Sequence, residues 1–261
     1  LLLLFSIAWY HAARSIINGN AALLVAFFIA LALYLLKEKQ DLWAGVALAI
    51  GTIKPQMVIL LLLFVIFWVM VEKRHKLIIS FASAMALLAA ISMLIEPGWL
   101  QANMRQVLAY PAYSPPGTPI AIFESWWGRG GQILGALLSL GAVGTLFSVW
   151  SKVLKAESAA FLCAASLTLV LTNLSGIPTT TANYSAMLPA LILASASLHE
   201  RPRGRLWLGL ILVALLLGLW LIFALTLGSG AQFRENAILF FPTPLLWVGL
   251  LYLVRPWKPT V

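Results

Sequence analysis

Lys54-Pro55 interrupts an otherwise apolar stretch, and the lysine is the side chain in this chain best placed to act on an anion. An ammonium at the apex of two half-helices is costly in hydrocarbon, so it must face water, a protein cavity or an anion such as a lipid phosphate. A lysine that only snorkels to the interface is the plainer alternative. Further polar residues stand between the apolar runs: Arg14, Asn18 and Asn20 early, Gln56 just after the proline, Arg105, Glu124 and Arg129 in a long interval, then Asn173, Asn183 and Arg234. Arg105 and Arg129 suit a phosphate, with contact to lipid headgroups as the alternative. Glu124 reads as a loop carboxylate paired with Arg129, and the neighbouring Trp126 and Trp127 as interfacial rings or a ligand-stacking pair.

Other chemistries find little support. There is no phosphate-binding glycine loop and no Cys or His ligand cluster, and His11, His75 and His199 lie in three separate intervals. No metal or cofactor is expected. The single cysteine, Cys163, sits in an apolar run and reads as a packed helix residue.

The elements that must carry these residues are membrane helices. Of the 261 residues, 62% are hydrophobic and only 10% charged, against about a quarter charged in a soluble domain. Apolar runs near residues 20–36, 42–71, 77–95, 131–150, 158–174, 183–198, 206–227 and 237–254 define an all-α polytopic bundle, one transmembrane domain over 1–261. The segment before Lys54 would be roughly 18 Å long as a helix, too short to cross. Basic residues flank it on both sides, Lys37 and Lys39 before, Lys73, Arg74 and Lys76 after, and the positive-inside rule wants both groups in the cytosol. The chain must therefore return, and 42–71 is expected to be a hairpin of short or re-entrant helices. The remaining loops then alternate, leaving 12 of the 17 Lys and Arg inside, and Arg14, Lys54, Arg105, Arg129 and Arg234 outside. The net charge of +9 thus reflects topology, and no nucleic-acid partner is expected. Residues 96–130, rich in proline, glycine and aromatics, read as a long extracytoplasmic loop folded on the membrane surface, with one interfacial helix near Leu100 to Ala109. Trp9, Trp43, Trp126, Trp150, Trp207 and others fall near span ends, as interface anchors do. Opening on Leu1 inside an apolar run, the sequence reads as the C-terminal part of a longer protein.

Two stretches carry a family resemblance. Ile17-Asn18-Gly19-Asn20-Ala21-Ala22 precedes one span, and Trp43-Ala44-Gly45, an apolar run and Lys54-Pro55-Gln56 end the next. They resemble glycosyltransferase family 87 of the GT-C superfamily, and Thr179 to Pro189 looks like that family's Tyr-containing segment. The resemblance implies transfer of a hexose, typically mannose, from a polyprenyl-phosphate donor to a lipid or glycan acceptor. The reaction would take place on the extracytoplasmic side, with the bacterial inner membrane as the expected location. It implies that Lys54, with Arg105 and Arg129, meets the donor phosphate, and that Asn18, Asn20, Gln56, Trp126 and Tyr184 contact substrate. The catalytic Asp of GT-C enzymes lies in a loop expected upstream of Leu1. Gly19-Asn20 departs from the family's frequent Gly-Gln, which leaves the sugar and acceptor open. A transporter or flippase built on broken helices, or a non-catalytic membrane scaffold, are the alternative readings.

Overall fold

A computed structural model describes residues 2–113, 117–154, 158–226 and 236–254. Lys155, Arg234, Glu235, Arg255, Trp257 and Lys258 lie outside the described residues, as do the side chains of Tyr110 and Tyr113. Twelve α-helices follow one another among them: α1 Leu2–Ala8, α2 Tyr10–Ile17, α3 Ala22–Lys37, α4 Asp41–Gly51, α5 Pro55–Glu72, α6 His75–Ile95, α7 Trp99–Tyr113, α8 Pro119–Val153, α9 Ser158–Thr172, α10 Leu188–His199, α11 Gly204–Leu225 and α12 Pro242–Val254. Two 3-10 segments, Thr181–Met187 and Ala237–Phe240, precede α10 and α12. No strand occurs among the described residues, and α5, α6, α8 and α11 are long and apolar enough to cross a membrane.

The break before Pro55 has a local cause. At the end of α4 the Thr52 and Ile53 N–H groups turn back onto Ala49 and Ile50 carbonyls, at 3.1 and 3.2 Å, and the Thr52 hydroxyl donates to Ala49 O at 2.6 Å. Proline excludes helical geometry from the residue before it, so Lys54 is pushed to φ −122°, ψ 83°. Pro55 then opens α5, where its missing N–H costs nothing. The chain turns back at Lys54 as expected, but only α4, with 11 residues, is short; α5, with 18, is long enough to cross.

Residues 96–130 are more helical than expected. α7 covers the interfacial helix and extends it to Tyr113, and α8 begins at Pro119, capped by the Thr118 hydroxyl accepting from Ala121 N at 3.2 Å. α8 bends sharply at Trp127 and Gly128, where Gly128 has φ +59°. Beyond the bend a Cβ on Gly131 would strike the Phe123 carbonyl, and one on Gly135 would lie 2.6 Å from the Pro119 carbonyl. The two arms of α8 therefore lie antiparallel in backbone contact. Glycines that punctuate a loop in the sequence instead let a helical hairpin close.

α9 forms the centre: Phe161, Cys163, Ala164, Leu167, Val170 and Leu171 are buried against α5, α8, α10 and α12. In lipid such faces are held by close van der Waals packing and interhelical hydrogen bonds, while lipid-facing Leu and Ile need no cover. Trp9 and Trp150, expected as interface anchors, are core residues instead, at 0% and 4% exposure. Trp150 packs tilted against Phe64 and edge-on to Phe147 and donates from Nε1 to Thr168 Oγ1 at 2.9 Å. Trp43, Trp126 and Trp207 are exposed.

Basic residues gather at one end. Arg74 ion-pairs with Asp41, donates to Leu36 O at 3.1 Å and lies over the Trp68 ring. One cleft there joins Lys37, Lys39, Glu72 and Phe161; a second joins Lys152 to Tyr252. Arg201 donates to Leu253 O at 3.0 Å. Four clusters assigned to one side from charge are thus linked through α9 and α12, and Lys54 lies at the far end of α4 from them.

Candidate functional site

Three distant parts of the chain meet at Lys54. Its Nζ donates to Asn20 Oδ1 at 2.7 Å and to Asn183 Oδ1 at 2.9 Å. Asn20 is fixed because the same oxygen accepts from Ala22 N at 2.9 Å, satisfying a donor at the start of α3. Asn183 is fixed from behind: its Nδ2 donates to Thr179 Oγ1 at 3.2 Å, and Thr179 Oγ1 donates to Asn173 Oδ1 at 3.0 Å. Asn173 Nδ2 returns to Leu169 O at 2.9 Å, anchoring the relay on α9.

The 3-10 segment Thr181–Met187, which brings Asn183 to the lysine, is buried throughout. Ser15 Oγ donates to Ala182 O at 3.3 Å, and Tyr184 Oη donates to Phe240 O at 2.7 Å. His11, fully buried among Trp9, Tyr10 and Tyr184, shares a 2.9 Å hydrogen bond between Nε2 and Thr243 Oγ1. A backbone bridge between Gly117 and Thr179 ties the entry of α8 to the same segment, and a Cβ on Gly117 would collide with the Thr179 carbonyl and the Phe240 ring.

Burial moves the Lys54 ammonium below the usual lysine range, because removing water penalises the charged form. Its two hydrogen-bond acceptors are neutral amide oxygens. An ammonium has three N–H groups, so one remains for another acceptor, and among the described residues no carboxylate is bonded to it. Such a site is suited to an anion.

The other predicted residues are placed variously. Asn20 is in the cluster; Asn18 is exposed at the end of α2, and Gln56 is half-buried in the first turn of α5. Tyr184 spends its hydroxyl on the backbone and is fully buried. Arg105 on α7 and Arg129 after the α8 bend are exposed and enter none of the Lys54 hydrogen bonds. The expected Glu124–Arg129 pair does not form among the described residues; Glu124 lies on the first arm of α8 and Arg129 just after the bend. Trp126, 40% exposed, packs with Phe123, Trp127 and Phe241 in an aromatic platform. Asn183 and Asn173 stood in the sequence only as polar residues in one interval, and nothing local marked either as a partner of Lys54.

Fold and site together define an integral membrane protein with a fixed cation at the apex of a broken-helix hairpin. The model of glycosyltransferase family 87 matches residues 1–177, more than half of the chain, and the chain belongs to that family. No curated protein and no solved structure matches it. The family match contains Asn20 and Lys54 and stops before Thr179 and Asn183, which the structure joins to them.

Proposed function

We propose that this glycosyltransferase moves a hexose, mannose foremost, from a polyprenyl-phosphate sugar to a lipid or glycan acceptor on the extracytoplasmic side of the membrane. The observation that carries the reading is the Lys54 cluster, a half-buried ammonium held by two neutral amides. Breaking the glycosidic bond leaves charge on a lipid phosphate, and a positioned N–H of Lys54 stabilises that charge more as it develops. The amides keep the ammonium aimed without neutralising it. Arg105 and Arg129 are proposed as further phosphate contacts, and Asn18, Gln56 and the Trp126 platform as sugar or acceptor contacts. Asn20 and Asn183 act by orienting the lysine, and Tyr184 by holding the segment that carries Asn183.

The test is sugar transfer by the full-length protein in membranes, supplied with polyprenyl-phosphate mannose. Lys54→Ala should lower transfer by about a hundredfold or more, the scale for losing one preorganised donor. Lys54→Arg should keep a measurable part. Full transfer by Lys54→Ala protein would reject the phosphate role.

A further inference from the structure

A groove of about 690 Å³ runs between α4 and α6, lined by Leu42, Val46 and Ile50 on one wall and by Ile79, Ala84 and Leu87 on the other. Its polar lining residues are Ser80, Ser83 and Lys76. α6 packs mainly on α4 and buries only Leu77 and Ser80, so most of its surface faces outward. The register is firmly set. A Cβ on Gly45 would lie 2.8 Å from Leu77 O, so the helices touch there, and Ser80 Oγ donates to Leu42 O at 2.5 Å. That register puts Lys76 level with the start of α4, beside the basic end where Lys37, Lys39 and Lys73 stand. Ile50 and Leu87 form the opposite end, roughly 12 Å along the helix.

We infer that this groove seats an acyl chain of an anionic phospholipid whose headgroup phosphate meets Lys76. The two ends of the groove select this occupant. Lys76 is the only cation among the lining residues, while Ile50, Leu87 and Leu88 at the other end are aliphatic. A phospholipid entering from the basic end places its phosphate at Lys76, with neighbouring lysines raising the local potential, and its chain along the aliphatic walls. The site is independent of the transfer reaction and of the Lys54 assignment.

Native mass spectrometry of the full chain, released from detergent with equimolar phosphatidylglycerol and phosphatidylcholine of identical acyl chains, tests it. Phosphatidylglycerol should be retained about fivefold over phosphatidylcholine, the preference one membrane-surface lysine supplies. Lys76→Glu should abolish that preference, and Ser83→Phe, which fills the groove from an exposed position, should lower retention of both lipids. Thermal unfolding of each variant in the same detergent checks that the bundle is intact, and Lys76→Gln repeats the charge test with a smaller change. Equal retention of the two lipids, or a preference unchanged in both Lys76 variants, would overturn the inference. So would polyprenyl phosphate retention that Ser83→Phe removes and Lys76→Glu leaves intact, since the groove would then hold the isoprenoid.

Discussion

At Lys54 the useful charge and the cost of burying it belong to the same atom. Removing water lowers the pH at which the ammonium loses its proton, so charge-dependent donor binding should decline on the alkaline side earlier than an exposed lysine would allow. The sign is fixed: a lowered pKa means less ammonium at any given pH near it, and binding falls as pH rises. Lys54→Arg protein, whose guanidinium stays protonated there, should show a flatter alkaline limb in a donor-binding titration. A profile identical to the native one would remove the lysine from the explanation. The neutrality of Asn183 is the second residue-scale claim. Asn183→Asp preserves size and still accepts from Nζ, yet adds an anion 2.9 Å from the ammonium. A unit charge at such range is worth about 1 to 4 kcal/mol near a protein surface. Donor affinity should therefore drop at least about fivefold in Asn183→Asp, and unchanged or tighter binding would contradict an anion site.

Asn183 reaches Lys54 only because the 3-10 segment Thr181–Met187 is clamped from several sides, by Ser15 from α2, by Phe240 before α12 and by the bridge to Gly117. His11 braces the same junction through Thr243 and its aromatic neighbours. Truncating it leaves a cavity and an unpartnered buried hydroxyl, so His11→Ala should cost about 2 to 4 kcal/mol in thermal or denaturant unfolding. A melting point within experimental error of the native value would show that the contact holds nothing. Gly117→Ala should shift the entry of α8, since backbone and a packed ring both occupy the Cβ position, and weaken donor binding along with stability. The hairpin at Lys54 could be read from the sequence because its causes are local: a proline, a preceding residue barred from helix, and basic flanks on both sides. The Lys54–Asn183 contact could not, because it spans 129 positions and depends on how α3 and the 3-10 segment pack. The fold of α8 was hidden for a related reason. Glycine at 128, 130, 131 and 135 ends helices in isolation, and only tertiary contact reveals that Gly131 and Gly135 admit a neighbouring backbone. Trp9 and Trp150 show the same ambiguity, since an aromatic near a span end anchors an interface or fills a core with equal ease.

Across the whole molecule the charge pattern resolves into two poles. Lys37, Lys39, Arg74, Lys152 and Arg201 are connected through the clefts and hydrogen bonds of one end, while Asn20, Lys54, Asn183 and the Gly117–Thr179 bridge lie at the other. The orientation we propose from the positive-inside rule puts the first pole in the cytosol. On that proposed orientation Lys54 faces away from the cytosol, which agrees with the proposal of a lipid-carried sugar donor in place of a cytosolic nucleotide sugar. Cysteine labelling tests this polarity cleanly, because the native Cys163 is fully buried in the core and contributes little background. With a membrane-impermeant maleimide, Ser125→Cys, exposed on the first arm of α8, should react in intact cells. Lys39→Cys, exposed at the basic pole, should react only after permeabilisation. The reverse pattern would place Lys54 on the cytosolic side and remove the extracytoplasmic reaction, while leaving the hydrogen-bonded cluster as it stands.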